Sequence, residues 1–265
     1  LAGASLFQQF SLHSATGFEE SGSDWDFHAA DLDQDGIADL VGVRSSSTGS
    51  GNIEVHALSG ASGYKDFIVH SATPLPCARD NVEFAFADWD ADGIPDLAVF
   101  LKSDTGSGKT EVHFLSGASG FREFIGHFTT ALGSSGENTH LRFADWDRDG
   151  IPDLVAIVTS RTGSGNTEVH VLSGASSFQT FTLHSSSALG PLSGSYDVYL
   201  ADWNRDGVPD LVAVLKGATG SGMTEVHIVS GAASRRGGRF QRFLLHTATA
   251  LPLVGDRLQV LPVRN

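Results

Sequence analysis

The sequence predicts an all-β protein of the propeller class, and three observations lead to this. A repeat of 57 residues recurs through most of the 265-residue chain. Each copy holds four short phrases rich in β-branched and aromatic residues, and Gly/Ser turns separate these phrases. No segment has a sustained helical period. Sheets of four short antiparallel strands, repeated around a ring, protect their edges from open pairing.

The repeat is easiest to see in an aspartate-rich phrase. DLDQDGIADL begins at Asp31 and returns as DWDADGIPDL at Asp88, DWDRDGIPDL at Asp145 and DWNRDGVPDL at Asp202. A second phrase, EVH followed by Ser-Gly-Ala, recurs in the same register. Self-similarity at this period is typical of arrays in which each copy is one structural unit.

One copy predicts four strands in order, VEFAFAD, PDLAVFL, TEVHFLSG and FREFIGHF. The turn TGSG stands between the second and third strands in all four copies, and SGA stands between the third and fourth. Both are suited to hairpin connections. A linear β-solenoid is the alternative, but its coils are usually about half this length or shorter.

The chain is predicted to form one propeller domain over residues 1–265, with repeats near 20–76, 77–133, 134–190 and 191–252. LAGASLFQQFSLH at the start matches a fourth strand, and DRLQVLPV at the end matches a first strand. Residues 1–19 and 253–265 would together make a split remnant blade. Five blades are therefore expected, one of them completed by both termini; a four-bladed ring and a fragment of a larger ring are the alternatives.

Each aspartate-rich loop fits the pattern DxDxDGxxD, which predicts a calcium site. Ca²⁺ takes six to eight oxygen ligands, and a tight loop supplies them from alternating positions around a central glycine. Positions one, three, five and nine would offer side-chain oxygens and position seven a main-chain carbonyl. The predicted ligands are Asp31, Asp33, Asp35, Ile37 and Asp39; Asp88, Asp90, Asp92, Ile94 and Asp96; Asp145, Asp147, Asp149, Ile151 and Asp153; and Asp202, Asn204, Asp206, Val208 and Asp210. About four ions are expected, one per loop.

The distribution of charge favours the same interpretation. These loops hold fifteen of the 31 acidic residues, and the remaining sixteen nearly balance the seventeen Lys and Arg. Carboxylates packed this closely repel one another unless a cation lies between them. An EF-hand is excluded because the motif runs directly into a strand and has no glutamate at position twelve.

Four-stranded blades that carry DxDxDGxxDL between the first and second strands resemble FG-GAP/VCBS repeats. Such repeats form the integrin α-subunit propeller, fungal propeller lectins that bind N-acetylglucosamine, and modules of secreted microbial hydrolases. The resemblance covers nearly the whole chain and implies a propeller with calcium in its loops. FADW stands where the Phe-Gly element of the integrin repeat would be, so the resemblance does not name a partner.

Composition limits the partners. A formal net charge of −14 argues against nucleic acid, which needs clustered Lys and Arg. No run of about eighteen apolar residues occurs, so membrane insertion is not expected. Weak calcium sites suit a compartment where calcium is plentiful, and the protein is predicted to be secreted.

Catalysis is not expected, because the histidines recur once per copy in fixed places whereas a catalytic residue is normally unique. No GxSxG or HExxH motif occurs. Repeated positions favour multivalent binding, and a propeller lectin for glycans or glycoproteins is the leading hypothesis. The alternative is a non-catalytic protein-interaction or targeting module of a secreted multidomain protein.

Candidate glycan contacts are repeated aromatic and imidazole side chains. They are Trp89, Trp146, Trp203, His56, His113, His170 and His227. Each group also has a structural interpretation, in which the tryptophans pack between blades and the histidines make cross-strand polar pairs. The polar connections SSGENTH before Leu141 and PLSGSYD before Val198 are further candidate binding edges.

Overall fold

Four antiparallel sheets of four strands each make up a β-propeller, as the computed structural model shows. It describes residues 3–9, 14–18, 22, 24–77, 81–233, 238–257 and 259–261. Blade 1 contains β1 (Trp25–Ala30), β2 (Asp39–Arg44), β3 (Asn52–Leu58) and β4 (Phe67–Pro76). Blade 2 contains β5 (Val82–Ala87), β6 (Asp96–Leu101), β7 (Lys109–Leu115) and β8 (Phe124–Gly133). Blade 3 contains β9 (Thr139–Ala144), β10 (Asp153–Val158), β11 (Glu168–Leu172) and β12 (Phe181–Ser186). Blade 4 contains β13 (Tyr196–Ala201), β14 (Asp210–Leu215), β15 (Met223–Val229) and β16 (Phe243–Pro252).

Strand order within each blade follows the chain, so every connection is a hairpin. The predicted all-β blade of four strands is confirmed. Because the strands alternate in direction, the acidic loops and the Ser-Gly-Ala turns lie at one end of the blade. The TGSG turns and the connections between blades lie at the other. We call these the acidic-loop face and the TGSG face.

The hydrophobic core is divided among the interfaces between blades. After their first residue, an aspartate, the second strands are almost entirely apolar, as in DLVAIV of β10, because both faces of the sheet pack on neighbouring blades. Val41 and Val55 of blade 1 pack with Phe84 and Leu97 of blade 2. Equivalent clusters join blade 2 to blade 3 and blade 3 to blade 4.

The segments near the two chain ends lie between blades 4 and 1. Phe7 packs on Trp203 of blade 4 with ring centroids 5.5 Å apart, and Gly17 donates its backbone N–H to Tyr64 O of blade 1. Gln259 bonds to both backbone groups of Phe27 in β1, at 2.9 and 2.8 Å. Val260 N donates to Asp197 Oδ2 of β13 at 3.1 Å. These contacts bridge the first and last blades.

The expectation of a fifth blade is corrected by this arrangement, and the four-bladed alternative is the one found. The described terminal residues form no strand: Gly3–Ser5 and Gly255–Arg257 are 3-10 turns, and 259–261 has no regular structure. Residues 10–13, part of the expected outer strand, and Leu258, part of the expected inner strand, lie outside the described residues. Residues 259–261 do not form a strand because they contact blades 1 and 4 through the Gln259 side chain and the single backbone N–H of Val260. A strand would need a continuous ladder of backbone hydrogen bonds.

The inner strands surround an axis that carries a charged network. Arg142 of β9 pairs with Glu83 of β5, and Lys102 lies 3.5 Å from the same carboxylate. On β13, Asp197 accepts a 2.9 Å hydrogen bond from Lys216. Buried charges of this kind are tolerated only when paired, so the network fixes how the inner strands meet.

Candidate metal loops and binding surfaces

The acidic loops place three carboxylates around one point in each of blades 1 to 3. One oxygen from each of positions one, three and nine lies within 4.8 Å of the others. These groups are Asp31, Asp33 and Asp39; Asp88, Asp90 and Asp96; and Asp145, Asp147 and Asp153. The glycine at position six makes the bend possible, since Gly93 has φ of 90° and its equivalents have similar values.

The aspartate at position nine also connects two loops of its blade. Asp96 accepts hydrogen bonds from Trp89 N at 2.8 Å and Gly117 N at 2.8 Å, one on each carboxylate oxygen. Gly117 belongs to the Ser-Gly-Ala turn, and a Cβ there would overlap the carbonyl oxygen of Pro95. The same two bonds recur at Asp39, Asp153 and Asp210. This aspartate therefore ties the acidic loop to the next turn as well as facing the candidate metal position.

Burial makes the position-nine aspartates electrostatically costly without a cation. Asp96 is fully buried, and this burial raises its pKa, although the hydrogen bonds from Gly117 and Trp89 oppose the shift. The nearby Asp90 carboxylate raises the pKa further. A divalent cation would remove this cost by compensating the buried negative charge.

Position five and blade 4 differ from the other sites. The carboxylates of Asp35, Asp92 and Asp149 do not join the three-residue groups, and each accepts a hydrogen bond from the backbone N–H two residues later. In blade 4 position three is Asn204, whose amide donates to Asp206 at 2.9 Å. An amide oxygen is still a suitable Ca²⁺ ligand.

The donor sets fit a hard cation. Every predicted side-chain ligand offers oxygen, and neither a sulfur nor an imidazole lies among the three converging groups. Six to eight oxygen ligands at flexible geometry are what Ca²⁺ requires, with main-chain carbonyls and water completing the set. The side chains at positions one, three and nine, with the position-seven carbonyl, would hold it.

The repeated tryptophans lie between blades. Trp89 stacks on Phe114 with ring centroids 4.6 Å apart and lies 5.2 Å from Phe178 of blade 3. Trp146 packs in the same way on Phe240 of blade 4. Their proposed contact with a glycan stays a prediction, and the observed contacts are those of packing residues.

The repeated histidines stand opposite a second histidine on the outer strand. His56, His113, His170 and His227 are paired in register with His70, His127, His184 and His246. Each lies near the glutamate two residues before it, for example His227 Nε2 at 3.1 Å from Glu225 Oε2. Sequence reasoning missed the second histidine as a partner, although its recurrence in every copy was a usable signal.

A pocket of about 460 Å³ opens on the TGSG face. The connections that precede β9 and β13 form much of its wall, and both were predicted binding edges. The rest of the wall comes from Asn81 and from Ser160 and Arg161 in the loop after β10. Sequence spacing alone could not assign these residues to the pocket. Tyr196 is held in the wall by a 2.7 Å hydrogen bond between its hydroxyl and Thr159 Oγ1.

Fold and loops together define a β-propeller with an acidic loop in every blade, and the loops of blades 1 to 3 each bring together three carboxylates that could hold a metal ion. The family model for FG-GAP-like repeats matches this chain at residues 88–156 and 145–213. These two matches, together with the propeller arrangement, support an FG-GAP-repeat propeller family for this chain. The FG-GAP propeller fold supports an interaction module and is typically non-catalytic. No curated protein matches the chain. Among the described residues no helix has the length and apolar character needed to cross a membrane.

Proposed function

We propose that this protein is a secreted, calcium-stabilised propeller that binds carbohydrate and performs no catalysis. The observation that supports carbohydrate most directly is the polar pocket on the TGSG face. Its volume of about 460 Å³ is within the range of small-molecule sites. Binding in place of catalysis is supported by the family fold and by histidines that recur in equivalent places.

The pocket has the side chains that sugar hydroxyls require. Glu137 offers a carboxylate, Arg161 a guanidinium, and both are exposed at its rim. Asn81 and Asn138 add amides, and the ring of Tyr196 adds an aromatic surface. The planar polar groups can hydrogen-bond several sugar hydroxyls at once. The aromatic ring can cover an apolar face of the sugar.

Calcium would stabilise the scaffold that holds this pocket. Each ion would compensate the carboxylates of one acidic loop and stabilise its link to the Ser-Gly-Ala turn. Excess EDTA is expected to lower the melting temperature markedly, and added calcium should restore it. An unchanged melting curve would argue against calcium. A dissociation constant of about 0.1–1 mM for calcium, the range of extracellular calcium-binding modules, would support secretion.

A glycan array in calcium buffer, followed by calorimetry on the best ligand, tests carbohydrate binding. Arg161→Ala should weaken binding at least several-fold, whereas Arg242→Ala, which removes an exposed arginine on an outer turn of blade 4, should not. One site per chain supports the pocket. Four sites per chain would instead favour the repeated histidine positions that the sequence suggested, and unchanged binding in Arg161→Ala would exclude the pocket.

A protein partner is the second candidate, supported by the outer strands. Phe67, Phe124 and Phe243 are 40%, 49% and 40% exposed at equivalent places on these strands. Exposed aromatic residues on free strand edges are typical of protein contacts. A blank glycan array with intact calcium-dependent folding would favour this candidate, and we then expect Phe124→Ser to weaken partner binding.

A further inference from the structure

Within the described part of the chain, two blades carry a cluster of one glutamate and two histidines that is separate from the acidic loops. The blade-2 cluster is Glu111, His113 and His127, and the blade-4 cluster is Glu225, His227 and His246. In each cluster one carboxylate oxygen and one nitrogen from each imidazole lie within 4.8 Å of one another. Three donors at this separation can converge on a single ion after small side-chain rotations.

Strand geometry brings the three side chains to one face of the sheet. Glu111 and His113 are two residues apart on β7, so they point to the same side. His127 on β8 is paired directly with His113, and their ring centroids are 4.0 Å apart. His227 and His246 repeat this arrangement in blade 4, also at 4.0 Å.

The carboxylates are oriented by the TGSG turns. Glu111 Oε1 accepts a 2.6 Å hydrogen bond from Ser107 Oγ, and Glu225 Oε1 accepts one from Ser221 N at 3.1 Å. The other oxygen of each carboxylate points to the imidazoles, at 3.4 Å from His127 Nε2 in blade 2. Metal-ligating carboxylates are commonly held by such outer hydrogen bonds.

One nitrogen of the blade-2 cluster has no hydrogen-bond partner among the described residues. His113 Nε2 is inaccessible to solvent, accepts or donates no hydrogen bond within that part of the chain and lies 3.9 Å from Glu111 Oε2. A buried polar nitrogen without a partner is costly, and a metal ion would satisfy it.

We propose that the blade-2 and blade-4 clusters bind Zn²⁺. Two imidazole nitrogens and one carboxylate oxygen form a common zinc donor set, with water in the fourth position. This set suits a borderline-soft ion, whereas the all-oxygen acidic loops suit calcium, so the two kinds of site select different metals. The zinc sites span the third and fourth strands of their blades and do not depend on carbohydrate binding at the TGSG face.

Blades 1 and 3 provide an internal contrast. There the two imidazoles bond to each other through their Nδ1 atoms, at 2.7 Å for His56 and His70 and 2.8 Å for His170 and His184. The two Nδ1 atoms satisfy each other, so a zinc ion that used them would have to break this imidazole–imidazole bond. Two tightly bound zinc ions per chain are therefore expected, not four.

The test is zinc retention in calcium buffer. The protein is incubated with ZnCl₂ in excess calcium, dialysed, and its zinc counted by mass spectrometry, with the visible spectrum of a Co²⁺-substituted sample reporting the ligand geometry. His127→Gln and His246→Gln change exposed side chains, so folding should persist, and circular dichroism verifies this. Each variant should lose one of the two ions, and the double variant should lose both.

His70→Gln combined with His184→Gln is the matched control, because it alters equivalent exposed histidines in blades 1 and 3. This control should retain two zinc ions and an unchanged cobalt spectrum. The proposal is overturned if the wild-type protein retains no more zinc than the His127→Gln, His246→Gln double variant. It is also overturned if the control loses zinc equally, since that would indicate nonspecific histidine binding.

Discussion

At the residue scale, the aspartate at position nine has two roles in every blade. It was predicted as a calcium ligand, a role that remains proposed, and the structure adds a second role that spacing could not reveal. Both oxygens of Asp153 accept backbone hydrogen bonds, from Trp146 at 2.9 Å and Gly174 at 2.8 Å. Position three, by contrast, is exposed and tolerates an asparagine in blade 4.

Asp153→Asn should therefore be far more damaging than Asp147→Asn. The NH₂ group that replaces one carboxylate oxygen of Asp153 would face a backbone N–H donor inside the protein, which costs about 1–3 kcal/mol. Asparagine at position three reproduces what blade 4 already has at Asn204, and a change within about 0.5 kcal/mol is expected. Urea unfolding in EDTA measures both, and equal losses would show that the two-loop link is unimportant.

His140, beside the axis, predicts a dependence of stability on pH. Burial lowers its pKa from 6.5 to about 4, against the raising effect of Glu83. Because the folded protein holds this imidazole neutral, its contribution to stability is present above the unfolded pKa and is lost as pH falls from 6.5 towards 4. The loss is at most about 3 kcal/mol. Unfolding free energies between pH 7 and 4.5 should fall less steeply in His140→Gln, and a parallel curve would contradict this.

At the element scale, the blade was predictable strand by strand because both its hairpin turns and its apolar patterning are local signals. The inter-blade contacts were less predictable. Leu32 replaces tryptophan in the first loop, and it packs in the cluster that contains Phe121 of blade 2. In blades 1 to 3 the partner of this position is therefore the aromatic residue that follows the Ser-Gly-Ala turn of the next blade.

Trp89 tests whether this position serves packing or ligand binding. Trp89→Ala should lower the unfolding free energy by about 3–5 kcal/mol, because a stacked ring is removed from between blades 2 and 3. Trp89→Leu, which copies blade 1, should cost clearly less. Thermal or urea unfolding measures both variants. If Trp89→Leu instead left stability nearly unchanged but abolished glycan binding, the tryptophan would be a ligand contact.

At the scale of the whole molecule, closure depends on residues distant in sequence. Gln259 bonds to Phe27 and also to Asp26 Oδ1, at 2.9 Å. Trp89 packs on Phe178 and Trp146 packs on Phe240, each in the next blade. In blade 4 the equivalent Trp203 packs on Phe7. The segments near the two chain ends thus make the contacts to blades 4 and 1 that a neighbouring blade makes elsewhere in the ring. Their described residues form no sheet.

Gln259→Ala should weaken this closure. It leaves the N–H and C=O of Phe27 without their partner, at a cost of about 1–3 kcal/mol. Gln241→Ala is the matched control, since it removes one exposed side-chain bond to Ser186 O and should change stability by less than about 0.5 kcal/mol. Urea unfolding compares them. If both variants changed the unfolding free energy by an equally small amount, the apolar contacts of Phe7, and not Gln259, would stabilise the closure.

The sequence by itself determined the all-β class, the four-stranded blade and the position of each acidic loop, because strand alternation, turns and the DxDxDGxxD spacing act within one repeat. Only the tertiary structure decided the number of blades, since blades 4 and 1 are joined by Gln259, which bonds to Phe27, and by Phe7, which packs on Trp203. It also decided which histidines face each other and that distant connections form one pocket. Contacts between repeats depend on how blades pack, and a local pattern such as the repeated tryptophan indicates that a residue packs between blades without naming its partner.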